Sequence, residues 1–236
     1  MSKNYLYKPL AKRSRLLIRT AQWCIFVWSA AVAGGIFVFA VFRNIKNLNY
    51  TTEESLEFDL ALNELAAVII GGVQILSGLF LVIVFLCWQY RACANMWAWN
   101  IPAISQKPAW GVWNYLLPVW GLFKPHSFLR EIWHAPRWLD YDTPNAWKFL
   151  PAPKILNWYW GLFIGGRIVE KTAEYLGGKH PEPLIDALIL QNILTTAADV
   201  ISLITIILLI KIVKGIELRH SAYAQKIKAS VSGENS

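Results

Sequence analysis

The stretch PAWGVWNYLLPVWGLFKPHSFLREIW, Pro108 to Trp133, decides how this chain is threaded. It is apolar enough for a bilayer, yet rich in Trp, Pro and Gly. Its uninterrupted apolar part, Ala109–Phe123, reaches only about 22 Å as a helix at 1.5 Å per residue, against an apolar layer of about 30 Å. Pro118 would break that helix in its middle. The stretch is therefore expected not to cross. It either lies on the surface as an amphipathic segment or dips in as a re-entrant loop, whose irregular backbone the other helices would have to shield.

Outward from it, the chain is strongly apolar. Of its 236 residues 56% are hydrophobic and 16% charged, whereas soluble domains carry about 25% charge. Three runs are long enough to span, about 20–42, 60–88 and 184–213, and a shorter one covers 153–170. Pro153 suits the first turn of that last helix, where its missing N–H costs nothing. The expected fold is an all-α membrane protein with four transmembrane helices and a Trp/Pro-rich interfacial or re-entrant segment, 89–152, between helices 2 and 3. Residues 1–19 read as a basic cytoplasmic N-terminus, 20–220 as a single transmembrane domain and 221–236 as a polar tail that frays. The run Thr20–Phe42 exceeds the apolar core of a signal peptide, about 7–15 residues, and reads as a retained anchor.

Charge placement tests the threading. The formal net charge is +8. If Pro108–Trp133 stays on one side, so do the N-terminus, residues 88–154 and the C-terminal tail. That side then holds all 23 basic residues except Arg43, Lys46, Arg167, Lys171 and Lys179. If the stretch crosses, the split is nearly even. Lys and Arg are retained in the cytoplasm, so the first threading predicts both termini in the cytoplasm of a bacterium, with the chain in its inner membrane. The loop 43–59, with Glu53, Glu54, Glu57 and Asp59, then faces outward. All 13 tryptophans except Trp23 and Trp28 fall from the end of the second span to the start of the third, Trp88 to Trp160, as headgroup-zone residues would. No soluble basic module is present, so nucleic acid is not an expected partner.

The polar residues inside apolar runs are the candidate sites. Asn192, Thr195, Thr196 and Asp199 share one face of the last span. An Asp at mid-membrane costs about 2.5–3.5 kcal/mol on insertion scales. The face reads as a proton- or ion-responsive site or as an interhelical hydrogen-bond stripe. Glu64, Gln74, Asn157 and Arg167 are its possible polar neighbours, with Arg167 better placed for Glu64 or Asp186. Small residues (Gly34, Gly35, Gly71, Gly72, Ser77, Gly78, Gly165, Gly166) are expected to admit close helix packing.

Cys24, Cys87 and Cys93 lack ligand or disulfide spacing, and His126, His134, His180 and His220 form no metal-binding pair. No metal, cofactor or catalytic residue is assigned. A lipid-directed enzyme would need His126, His134 or Glu131 to converge.

The segment WQYRACAN (Trp88, Arg91, Asn95) is followed by Pro108 and Trp110, by LPVWGLFKP with Pro118 and Pro125, and by REIW with Arg130 and Glu131. NWYWGLF and the terminal IVKGIELRH come next. In this order they resemble the bacterial integral-membrane family called domain of unknown function 4328, over roughly residues 70–220. Gly121 stands where that family's pattern has Asn, and Ile216 where it has Gln. The resemblance implies a multi-span membrane protein and no particular activity. Arg91 and Asn95 lie on one face past the second span, where Arg91 either binds lipid phosphate or caps carbonyls of the Pro118 loop. With Trp113 they complete the signature. The expected function is a non-enzymatic scaffold or regulatory subunit binding lipids, a membrane-protein partner or a second copy. The alternative is a small transporter or channel component using the Asp199 face.

Overall fold

The computed structural model describes residues 5–47, 53–115, 123–141, 143, 145–177 and 185–233. Among these residues six helices run in order: α1 (Ala11–Asn47), α2 (Glu53–Ala98), α3 (Pro108–Trp113), α4 (Lys124–His134), α5 (Lys154–Gly177) and α6 (Ile185–Gly233). Two 3₁₀ turns, Ala135–Asp140 and Ala146–Phe149, connect α4 to α5. No strand occurs among the described residues, and the all-α expectation holds.

Three helices, α1, α2 and α6, are long and apolar enough to cross a membrane. The expected count of four is corrected to three. α5 has the length, but every 18-residue stretch of it contains Arg167, Glu170 and Lys171, and that density of charge removes it from the set. Arg167 pairs with Glu170 at 2.8 Å, on its own helix. Lys171 pairs with Glu174 on the next turn. The Glu64 side chain lies outside the described residues.

The helices overrun the apolar runs that nucleate them. α2 has 46 residues, about 69 Å at 1.5 Å each, more than twice an apolar layer of about 30 Å. It passes Trp88 and stops in a Schellman motif: the Ile101 N–H donates to the Met96 carbonyl (3.2 Å) and the Asn100 N–H to that of Trp97 (3.1 Å). Asn100 takes the left-handed conformation this cap requires (φ 51°), which Asn tolerates. Ala103 follows at φ 64°, a costlier position for a residue with a Cβ. The tail expected to fray is helical to Gly233. Its apolar side is used: Tyr223 is buried, and Lys226 reaches Asp140 at 2.8 Å.

The chain separates into two compact units. Unit 1 comprises residues 1–20, 81–160 and 208–236, and unit 2 residues 21–80 and 161–207. Unit 1 contains the conventional core. The largest fully buried side chains, among them Trp88, Trp147, Phe128, Met96, Leu156 and Ile216, all belong to it. Unit 2 is the reverse: Val68 is 73% exposed, Ile75 72% and Phe37 66%. Large apolar side chains face outward in this density on helices long and apolar enough to cross a membrane.

Within unit 2 the helices approach where side chains are small. A Cβ on Gly35 would collide with Thr196, one on Gly166 would press on Ile201 at 3.1 Å, and one on Gly78 would touch Trp28 at 3.4 Å. Gly71, Gly72 and Gly165 face open space, so the packing role expected of them is absent here.

Candidate functional site

The signature residues of α2 form a clasp. Asn95 is fully buried and reads both main-chain groups of Lys8: its Oδ1 accepts from the Lys8 N–H (3.1 Å) and its amide donates to the Lys8 carbonyl (2.9 Å). Arg91, one turn earlier, donates to the Leu6 carbonyl. Trp88, one turn earlier again, donates from its indole to the Ser14 hydroxyl at 3.1 Å. Arg13 answers from α1, donating to the Cys87 carbonyl at 2.7 Å. Arg91 thus caps a carbonyl, as one reading held, but that of the N-terminal arm. The Pro118 loop lies outside the described residues.

The Trp/Pro segment is built on a second set of buried amides. Gln89 donates to the Gly111 carbonyl (3.3 Å) and accepts from the Tyr115 hydroxyl (2.8 Å). Burial pushes the Tyr115 phenol well above its usual range, so it stays a donor. Gly111 is required: a Cβ there would enter the Phe128 ring. The Gln106 carbonyl accepts from the Trp97 indole (3.0 Å), and its side-chain oxygen accepts from the Asn114 amide. Pro108 and Gly111 are buried on α3 while Trp110 and Trp113, three apart, are 57% and 58% exposed. Pro125 is buried at the start of α4. Gln89, Gln106 and Tyr115 carried no motif; the available signal was an amide, Gln89, at the end of an apolar run.

Glu131 is buried and accepts from the backbone N–H of Ser105 (3.3 Å) and from its hydroxyl. His126 meets Asn157 at 2.9 Å, and the His134 Nε2–H donates to the Pro151 carbonyl at 3.2 Å. The three residues that a lipid-directed enzyme would bring together are held by three separate partners. His134 is held below the usual imidazole range, first by burial and then by the charges of Arg219, Arg130 and Arg137, against the opposing Pro151 hydrogen bond. Asp140 lies below the usual carboxylate range because Lys226 and Arg137 donate to it. The guanidinium carbon of Arg219 lies over the Trp133 ring, 3.8 Å from its centroid. The rings of Tyr7, His220 and Tyr223 all pack on Trp99, at 5.1, 5.2 and 4.8 Å between centroids.

In unit 2 the polar face of α6 divides. Asp199 accepts a hydrogen bond from the Gln74 amide, and Thr196 packs on Gly35. Thr195 is exposed and donates to the Gln191 carbonyl of its own helix at 3.0 Å. The Asn192 side-chain oxygen is buried without a hydrogen-bond partner among the described residues. No cluster of His, Cys, Asp and Glu among the described residues could hold a metal.

A family model described as Domain of unknown function (DUF4328) matches residues 51–218. It begins before the α2 signature and takes in the whole Trp/Pro segment. No curated protein and no solved structure matches the chain.

Proposed function

The chain belongs to the DUF4328 family, and we propose that it is a non-enzymatic scaffold or regulatory subunit of a bacterial inner membrane that engages the lipid surface through its Trp/Pro-rich segment. The observation that carries this reading is α3. One side of it is fixed by Gln89 and packed on Phe128, and the other presents Trp110 and Trp113 outward. Paired, rigidly held indoles suit the headgroup zone. The arm from Tyr5, the end of α2 and the end of α6 share unit 1. With the skew of basic residues, this supports a cytoplasmic position for that unit. Brominated lipid in proteoliposomes tests the reading. Trp110→Phe with Trp113→Phe should remove a distinct share of the quenchable tryptophan emission; an unchanged quenchable share would reject it.

A second reading is favoured by one observation, the buried Asn192 oxygen, unpaired among the described residues, two turns before Asp199 on the same helix face. Such a face suits a small transporter or channel component. Flux in proteoliposomes that Asp199→Asn abolishes, with folding intact, would establish it. Absence of proton and common-ion flux would set it aside.

A further inference from the structure

The clasp brings two like charges together and supplies nothing to oppose them. Arg13 of α1 donates one N–H to the Cys87 carbonyl. Arg91, one turn further along the same face of α2, donates one to the Leu6 carbonyl. The charge of Arg13 acts on Arg91. A guanidinium has five N–H groups, so neither side chain is exhausted by its single carbonyl. Arg13 is exposed and Arg91 half-buried. No acidic residue occurs in residues 1–52 or 65–130, so neither α1 nor the half of α2 that carries Arg91 holds a carboxylate. Lys12, Arg15 and Arg19, exposed on the same stretch of α1, strengthen the field. None of these cations forms an ion pair among the described residues. Two guanidinia one helical turn apart repel each other, and an anion shared between them removes that cost. Both lie just outside apolar runs, Arg13 before Thr20 and Arg91 after Trp88. At 1.5 Å per residue the offsets are about 10 Å and about 5 Å, the level of the headgroup layer, and an Arg side chain is long enough to cover the difference.

We infer that Arg13 and Arg91 together bind the phosphate of an anionic phospholipid. Each guanidinium is a planar fork matched to phosphate oxygens. A zwitterionic lipid would bring its own ammonium into a region already crowded with cations. An anionic one such as phosphatidylglycerol brings none, and basic residues beside a membrane helix favour it. A lipid held there braces Arg91 against the Leu6 carbonyl and keeps the N-terminal arm closed. The inference names a lipid class for a chain read as lipid-engaging, but it rests on residues other than the α3 indoles: the pair can hold a phosphate whether or not Trp110 and Trp113 touch lipid.

The test places the full chain in nanodiscs of phosphatidylcholine, with or without added phosphatidylglycerol. Hydrogen exchange is followed at the Lys8 amide, which Asn95 holds. Phosphatidylglycerol should slow that exchange about fivefold or more. Arg13→Gln should abolish the difference between the two lipids, whatever it does to exchange in phosphatidylcholine alone, and Arg13→Lys should restore part of it. Native mass spectrometry with the two lipids at equal concentration should show phosphatidylglycerol retained by the unmodified chain and lost from Arg13→Gln. Equal exchange in both lipids, or a phosphatidylglycerol effect undiminished in Arg13→Gln, overturns the inference. An equal slowing by inorganic phosphate in phosphatidylcholine overturns it too, by assigning the pair to a soluble anion.

Discussion

The carboxylate of Asp199 accepts a hydrogen bond of 2.8 Å from the side-chain amide of Gln74, 125 residues earlier in the chain. The pair joins α2 to α6 inside unit 2, where no water competes in a bilayer. Interhelical bonds of this kind contribute about 0.6 kcal/mol on average and up to about 1.7. A double-mutant cycle of Gln74→Ala and Asp199→Ala, read by unfolding in mixed micelles, should give a coupling in that range. Zero coupling would mean that the two side chains are merely neighbours.

The clasp makes a sharper prediction. Asn95→Ala removes both hydrogen bonds to Lys8, and Arg91→Ala frees the Leu6 carbonyl. Each should cost about 1–3 kcal/mol, because a buried polar group loses its partner. Hydrogen exchange at the Lys8 amide should accelerate, and trypsin should cut after Lys12 sooner. Protection equal to that of the unmodified chain would show that the arm is held by its apolar contacts alone.

Gly111 tolerates no side chain, since a Cβ there would enter the Phe128 ring. Gly111→Ala should lower stability by about 1–3 kcal/mol, the usual cost of overpacking. Adding Phe128→Leu should return part of it. A single variant that melts with the unmodified chain would show that α3 can shift freely.

His134 supplies a pH dependence. Its folded-state pKa is depressed below the ordinary 6.5, so the unfolded chain binds the proton more readily. The stability this residue contributes is complete above that ordinary value and is lost as the pH falls through the depressed one. Melting temperature should decline on acidification below about pH 6.5, and His134→Gln should flatten the decline. An identical slope in the variant would assign the effect to other groups.

Ala103 holds a left-handed backbone conformation with no glycine to accommodate it. Ala103→Gly should stabilise the chain by up to about 1 kcal/mol, the steric relief less the added freedom of the unfolded chain. A loss of stability would mean that the methyl group packs usefully against its surroundings.

The sequence makes the membrane helices and the polar face of α6 legible, because both are periodic within one segment. It also puts Gln74 among the few possible neighbours of Asp199. α5 misleads, since its Trp-rich start is apolar while its charges lie in the second half. Arg91 and Asn95 are recognisable as acting together, yet their partner is not. They bind main-chain atoms of Leu6 and Lys8, and a backbone carbonyl leaves no trace in composition. The rings around Trp99 are equally silent, because they join segments far apart in the chain through single, unrepeated residues. The ends of α2 and α6 run past their apolar cores because packing within unit 1 stabilises turns that hydropathy alone does not mark.

The clasp also carries a schedule. Leu6 and Lys8 leave the ribosome before Arg91 and Asn95, which exist only after α1 and nearly all of α2 have been synthesised. Until then the arm has nothing to close on. If α2 were inserted the wrong way round, its end would lie across the bilayer from the arm and the clasp could never shut. Closure therefore requires α2 to be complete and its end to lie beside the arm. A chain whose α2 ends beside the arm shields the Lys8 main chain, and one whose α2 ends elsewhere leaves it bare.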